Sequence, residues 1–526
     1  MKQFYLLLLL TLLIQGCRER EYAKPGPSLI YLNFNNQIRN EGILPVEFRG
    51  EKYVSYAKGV SDTCLNLTQS AEYRKPIIVE KGEANSFSDY EGITFMQWVK
   101  TIPGDPNSYV IAGQKGAIEE NRSMGWLIRK TPTGGWKWEI SDGINQLDYS
   151  PTAEHQPISD GRWHQIGFSI EKNDREARFY YDGNLKAIFS LEGIGNVFPA
   201  NSLYIGSDPM ADDPRISSFN GMIDELGIWS RVLSDAQIAG LYRFNSGKKL
   251  KPLPSVSDSL TVMTWNIWNG GTSQGKYVGV KHIASIMRKS GADVISVQET
   301  FDSGEMLAGE LDYYFYRRSR NLSILSRYPL SKSYNAFRPK HFGAIQLDMG
   351  EGRNILVAPI WLSQRPNLSA YFLKNDALAD TIEVREMETR GRETNFLLSE
   401  IRPFIQKSDD TPIIIAGDFN SGSHLDWTER NKENHNGLVV NFPATRFIKN
   451  SDFIDAYRQI YPDEMETPGH TWSPLYNQGL QSRMDFIFYK GDKIKPSTAM
   501  VIDTWKYEFP SNHAAVVVSF LLNDEE

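Results

Sequence analysis

Apolar and polar positions alternate along the chain in two rhythms, and the change between them falls near residue 250. From 28 to 245 the runs are short and have period two, as in Ile30-Tyr31-Leu32-Asn33-Phe34, Thr94-Phe95-Met96-Gln97-Trp98-Val99 and Ala177-Arg178-Phe179-Tyr180-Tyr181, with Gly, Asp, Asn and Pro between them. Successive half-buried strands of this kind predict an all-β sandwich. A helix closes the region over Ser234-Asp235-Ala236-Gln237-Ile238-Ala239-Gly240-Leu241-Tyr242, with Ser234 as its N-cap. Residues 246–259 contain Gly247, Lys248, Lys249, Pro252 and Pro254 and read as a linker. From 260 to 523 strands alternate with helix-like segments, near 278–289 and 382–406, which predicts an α/β domain.

In that second region several apolar strands run out into polar residues. Leu260 to Trp268 carries Asn266 near its end, and Val294-Ile295-Ser296-Val297-Gln298 is followed by Glu299. Ile413-Ile414-Ile415-Ala416 leads through Gly417, which would free the backbone, to Asp418-Phe419-Asn420. Two residues apart on one side of a strand, Asp418 and Asn420 would hold a metal-bound phosphate or its attacking water. The plain alternative is a buried strand followed by an Asx turn. Further polar positions stand in Gly469-His470-Thr471-Trp472, Arg483-Met484-Asp485 and Ser511-Asn512-His513. Arg483 has two open roles, neutralising phosphate charge or pairing with a structural carboxylate. Trp268, Phe342, Trp427 and Trp472 are candidates to pack against a sugar or base, at least two of them being core; Trp163 and Trp229 read as core of the β region.

Composition narrows the class. With 526 residues, 40% hydrophobic and 12% aromatic, the chain has material for two or three cores and is not disordered. Its formal net charge is −7, and from Asp258 onward it carries 29 Lys and Arg against 34 Asp and Glu. No basic bias favours a long polyanion. At the N-terminus, Lys2 precedes the apolar run Phe4 to Ile14 and then Gln15-Gly16-Cys17, too short a run for an ordinary spanning helix. This resembles a bacterial lipoprotein signal, which implies residues 1–17 as signal with Cys17 as the acylated residue, 18–27 as a tether, and an exported protein anchored by lipid, at the outer membrane. Only Cys64 then remains, so no intramolecular disulfide forms.

The phrases Asp160-Gly161-Arg162-Trp163-His164-Gln165-Ile166, Tyr181-Asp182-Gly183, Tyr204-Ile205-Gly206 and Phe219-Asn220-Gly221-Met222-Ile223-Asp224-Glu225-Leu226 resemble, in order, the laminin-G/concanavalin-like jelly-roll family. That resemblance implies an accessory module for glycan or protein binding over 28–245. Some of its relatives use Ca²⁺; no Ca²⁺ ligand set can be carried onto these phrases, and Asp182-Gly183 reads as a hairpin turn.

The strand-end motifs from Asn266 to His513 resemble, in order and over 260–523, the endonuclease/exonuclease/phosphatase superfamily. The resemblance implies a four-layer α/β/β/α sandwich that hydrolyses phosphoric esters. It makes Glu299 the Mg²⁺-binding carboxylate, with Mn²⁺ as the alternative cation, and places Asn266 beside it at the metal. Asp418 orients or deprotonates the attacking water, Asn420 contacts the phosphate, Asp485 orients the catalytic histidine and His513 is that histidine. Such a donor set suits a hard cation, and in-line attack on phosphorus needs charge stabilisation and a positioned water. Two departures stand out. Asn512 replaces an aspartate, which favours one cation over two, and Trp361 stands where several relatives carry a histidine, with His341 or His470 as candidate substitutes although each by itself reads first as a surface loop residue. The expected reaction is hydrolysis of a phosphodiester in an extracellular glycan, lipid head group or nucleotide; the rivals are a secreted Mg²⁺-dependent nuclease acting on nucleic acid and a non-catalytic surface protein that binds glycan or protein.

Overall fold

The computed structural model describes residues 25–523 apart from 52–53, 69–75, 83–85, 120–121, 212–217, 251–256, 337 and 477–479. Cys17 and the signal-like segment lie outside the described residues. Two compact units divide the chain, one of residues up to 173 with 177–186 and 193–252, the other of 174–176, 187–192 and 253 onward.

The first unit is a two-sheet β sandwich. One sheet contains, side by side, Glu176–Tyr181, His164–Glu171, Gly92–Thr101, Gly221–Trp229, Thr63–Asn66 and Ser55–Lys58; the other runs Gln146–Tyr149, Trp136–Asp142, Arg122–Lys130, Tyr109–Glu119, Leu203–Ile205, Ile77–Lys81 and Val46–Arg49. Their inner faces bury Phe95, Trp126, Trp138, Phe168 and Phe179 in ring-to-ring contact. Asp182 and Gly183 have φ of 48° and 74°, the left-handed pair of a two-residue hairpin turn. The Asp182 carboxylate accepts from the Gln165 N–H and bonds the His164 ring. Trp229 is core, whereas Trp163 is half-buried and lies just outside the strand that begins at His164. The closing helix, Asp235–Ser246, has a reciprocal capping box between Ser234 and Gln237.

In the second unit the strands, numbered from its own start, are β1 (Ser259–Asn266), β2 (Val294–Gln298), β3 (Tyr314–Arg317), β4 (Leu322–Ser326), β5 (Leu330–Tyr334), β6 (Ala344–Asp348), β7 (Asn354–Trp361), β8 (Ile413–Asp418), β9 (Ile454–Asp455), β10 (Asp485–Lys490), β11 (Ile494–Ile502) and β12 (Ala515–Leu522). One sheet has the order β11-β12-β1-β2-β4-β3 and the other β5-β6-β7-β8-β10-β9. Each centres on one parallel pair, β1 with β2 and β7 with β8. A parallel pair needs a crossover. Helix α1 (Lys276–Ser290) supplies the first, burying Val280, Ile283 and Met287. The second is longer: α2 (Ala379–Glu386), a π-helical turn at Met387–Gly391, and α3 (Arg392–Glu400). Leu397, Leu398 and Ile401 pack on Ile413, Ile415 and Phe486. The single helix expected over 382–406 is therefore broken, because the π turn adds a residue at 387–391 and Pro403 ends the regular backbone bonds beyond Glu400. Between the sheets the Ser296 hydroxyl donates to the Ala416 carbonyl at 2.7 Å. The result is the α/β/β/α sandwich.

Gly417 lies within strand β8 and needs no left-handed backbone, contrary to the expectation that it frees the chain there. It is required for space: a Cβ would stand 1.9 Å from the Ile360 carbonyl oxygen on β7. Gly417→Ala is expected to lower stability by about 1–3 kcal/mol, read as a fall in the urea midpoint at constant m-value.

Candidate active site

The parallel pairing brings the strand ends of both sheets to one place. In register, Asn266 is opposite Gln298 on β1 and β2, and Trp361 and Asp485 are opposite Asp418 on either side of β8. Each strand stops where its apolar run stops, so the polar residues that follow share one end of the sandwich.

Asp418 is the centre. Its Oδ2 accepts from Asn266 Nδ2 at 3.1 Å, Trp361 Nε1 at 3.2 Å and Asn420 Nδ2 at 3.2 Å, and its Oδ1 from the Asn420 N–H at 2.8 Å. Burial pushes the Asp418 carboxyl up to about 6 against the pull of His513, and Asp485 adds to the rise. His513 Nδ1 bonds Asp485 Oδ2 at 2.9 Å and its Nε2 lies 3.9 Å from Asp418 Oδ2. Burial alone would lower the imidazole, but Asp485, Asp418 and Glu299 outweigh it and raise it to about 9. The Ser511 hydroxyl donates to the Asn266 carbonyl at 2.7 Å and accepts from the His513 N–H at 3.1 Å, which fixes the histidine loop against β1.

Glu299 follows β2 with φ 55°. Its Oε1 accepts from Asn266 Nδ2 at 3.2 Å and its Oε2 from the Asn269 N–H at 2.9 Å. Trp268, Asn269, Phe301 and Asn420 also have positive φ between 46° and 52°. Backbone of that kind is costly for residues with a Cβ and gathers at functional sites.

A cleft of about 470 Å³ opens above these groups, and Glu299, Asn420, His513, Trp472, Trp361 and Asn512 are among its walls. Asp418 and Asp485 lie buried behind it. The Asp485 Oδ1 and Asn512 Oδ1 oxygens are buried with no hydrogen-bond donor among the described residues. With three carboxylates, Glu299, Asp418 and Asp485, around one imidazole, the donor set fits a hard divalent cation. Asp418, Asp485 and His513 present ligand atoms within 4.8 Å of one another, but the Asp485–His513 hydrogen bond closes that triangle. Of these three carboxylates Glu299 is the one that lines the cleft.

Several sequence expectations change. Asn266 turns its amide nitrogen to both carboxylates and its oxygen to the Trp268 N–H at 3.0 Å, so it braces Glu299 instead of offering an oxygen to a cation. The Asn420 amide hydrogens are committed to Asp418 and to the Leu362 carbonyl at 3.0 Å; the side chain offers the cleft an acceptor, not a donor to phosphate. Asp418 and Asn420 thus form an Asx turn and a site at once. Arg483 is absent from the cleft: it is buried, with Nε and Nη2 on Asp426 at 3.0 and 3.1 Å and Nη1 on Asp455 at 2.8 Å. Of its two open roles it takes the structural one. Phe342 and Trp427 are core, while Trp268 and Trp472 line the cleft. The Trp472 ring stands edge-on to His513, 5.0 Å between centroids.

Sequence reasoning missed Trp361 as a donor to Asp418. Where an imidazole would titrate, the indole N–H does not. The signal was its place at the end of β7, beside β8. It missed also the far wall of the cleft, formed by segments around 364–372 and 386–390 that carry no motif.

Residues 263–513 match the model of the Endonuclease/Exonuclease/phosphatase family, and residues 80–239 that of the Concanavalin A-like lectin/glucanases superfamily. An uncharacterized protein of Caenorhabditis elegans is 30% identical over 302 residues, 51% of this chain and 92% of that protein. Paraclostridial mosquitocidal protein 1 of Paraclostridium bifermentans is 25% identical over 183 residues, 32% of this chain and 14% of that protein. Among solved structures, truncated Caenorhabditis elegans TDP2 is similar over 50% of this chain and 97% of its own, with 16% identity and a TM-score of 0.36. The binding domain of Paraclostridial Mosquitocidal Protein 1 covers 47% of this chain and 60% of its own, with 17% identity and a TM-score of 0.34.

Proposed function

We propose that this chain, which belongs to the endonuclease/exonuclease/phosphatase family and joins to that hydrolase domain a concanavalin A-like β sandwich, hydrolyses a phosphodiester by in-line attack of a water held at Asp418 and Asn420. The observation that carries the reading is the convergence of Glu299, Asp418, Asn420, Asp485 and His513 from four chain segments onto one cleft end. The raised Asp418 carboxyl is suited to accept a proton near neutral pH, with the Asn420 oxygen accepting the water's other hydrogen. The imidazolium of His513, held by Asp485, donates towards the phosphoryl oxygens or the leaving group. Glu299, braced by Asn266 and the Asn269 N–H, would hold one Mg²⁺ or Mn²⁺. Such a cation supplies charge stabilisation for phosphoryl oxygen.

Asn512 offers an uncharged oxygen where a second cation would need charge, which favours a one-metal site. The sandwich module serves as a binding accessory. The apolar run before Cys17 supports export and lipid anchoring, so the ester is one met outside the cytoplasm. Mg²⁺ titration by calorimetry, followed by hydrolysis of bis(4-nitrophenyl) phosphate, tests the reading: Glu299→Gln is expected to weaken Mg²⁺ binding by roughly tenfold or more and to lower turnover in step. Unchanged Mg²⁺ affinity in Glu299→Gln would move the cation elsewhere.

A further inference from the structure

The two ends of the cleft differ in chemistry. The end at Glu299 and His513 is ionic. The other end is lined by Leu368, Phe372, Gln364, Asn367 and Ser369 together with the largely buried ion pair of Glu386 and Arg390. That pair is closed on itself: Arg390 Nη1 meets Glu386 Oε1 at 2.8 Å, and Nη2 serves the carbonyls of Gln364 and Pro366 at 3.0 Å each. The Glu386 Oε2 accepts from Ser421 at 2.9 Å. Next to two of its lining rings, Arg320 lies over Phe301 and pairs with Asp302 at 3.0 Å, and Lys340 sits 5.3 Å over the Trp361 ring. Among the described residues that line the cleft the cationic side chains are His513 and the self-closed Arg390, too few for a row of phosphates, each of which needs its own positive partner.

What the cleft has in quantity is ring surface. Trp268, Phe301, Trp361, Phe372 and Trp472 all contribute to its lining. Phe372 is backed by Trp427, 5.0 Å between centroids, within a packed cluster that includes Leu368 and Phe442, so the far wall is rigid. Trp268 and Phe301 are held at φ of 52° and 46°, unusual backbone for bulky side chains. The cleft volume of about 470 Å³ exceeds what a phosphate group fills and falls in the range of sites for small organic ligands.

Resting on the phosphodiesterase reading, we infer that the substrate is a small phosphodiester with one phosphate and a neutral, ring-bearing arm packed on the aromatic and amide-lined walls of this cleft, and not a nucleic-acid strand. Trp472, set against His513, contacts the arm nearest the leaving group, and Gln364, Asn367 and Ser369 meet its hydroxyl or amide groups. A nucleoside and a sugar share this chemistry.

The test is calorimetric titration of the full chain carrying Asp418→Asn, so that the ester bond survives the titration, with Mg²⁺ and two diester analogues of equal charge, phenyl methylphosphonate against ethyl methylphosphonate. The phenyl ester is expected to bind roughly tenfold or more tightly, with the ratio falling towards one in Trp472→Ala and recovering in Trp472→Phe. Thymidine and methyl glucoside esters of the same acid then tell a nucleoside arm from a sugar arm. Equal affinity for phenyl and ethyl esters, a ratio that survives Trp472→Ala, or tighter, steeply salt-dependent binding of a decathymidylate would overturn the inference. Because binding is read without turnover, failure of hydrolysis removes the phosphodiesterase reading and leaves a distinct mark from failure of the ring preference.

Discussion

His513→Gln lowers kcat for a phosphodiester by about 10²–10⁴-fold, read well below a melting temperature that itself falls because Asp485 and Asp418 lose the imidazolium. The histidine is buried, yet three carboxylates keep it protonated to about 9. A glutamine fills similar space and offers an uncharged donor, so what is removed is the proton and its charge, at the point where negative charge develops. The pH profile follows from the same groups. Activity needs Asp418 ionised, so it rises as pH passes through about 6, and needs His513 protonated, so it falls as pH rises through about 9. A cation at Glu299 favours the deprotonated forms and moves both limbs to lower pH. The two groups stand 3.9 Å apart, so the limbs belong to the pair. His513→Gln removes the alkaline limb; a profile that keeps it would assign the acid to another residue.

Arg483→Met costs about 3–5 kcal/mol of stability. The guanidinium is the common partner of Asp426 and Asp455, and Arg458 Nε meets Asp426 at 2.8 Å from the other side. Methionine fills the volume and leaves Asp455 without that charge partner and Asp426 with one where it had two. Burial would raise the Asp426 carboxyl, but Arg483 and Arg458 hold it below the usual carboxylate range. A folded-state value below the unfolded one means that this stability is present above the ordinary carboxylate value and lost as pH falls through the folded value. In Arg483→Met the acid-side dependence shrinks. A phosphate ligand would show the reverse pattern, a raised KM at unchanged melting temperature, so paired thermal and kinetic measurements separate the two roles.

The strands and their polar ends were legible because both rest on local pattern. Apolar runs such as Ile413 to Ala416 and Val294 to Val297 read as buried strands, and the polar residues after them read as a site. Orientation was not legible. Whether the Asn266 amide turns its nitrogen or oxygen to Glu299 depends on the Trp268 N–H, and the Asn420 hydrogens depend on the Leu362 carbonyl, 58 residues away. Arg483 finds Asp426 at 57 residues' separation and Asp455 at 28, distances at which no periodicity speaks. Gly417 was seen, but for the wrong reason: its need is set by a neighbouring strand's carbonyl. The far cleft wall had no signature because it is built of amides and apolar residues common to any surface loop.

The measurement that bears most directly on the account is hydrolysis of bis(4-nitrophenyl) phosphate by the folded chain, with Mg²⁺ and with EDTA, for the natural sequence and for Asp418→Asn. The expected result is turnover that requires the cation and falls by at least about 10²-fold in Asp418→Asn, with Mg²⁺ affinity retained in that variant. Turnover that persists in EDTA or in Asp418→Asn, or a chain that binds Mg²⁺ and hydrolyses no phosphodiester, would contradict it.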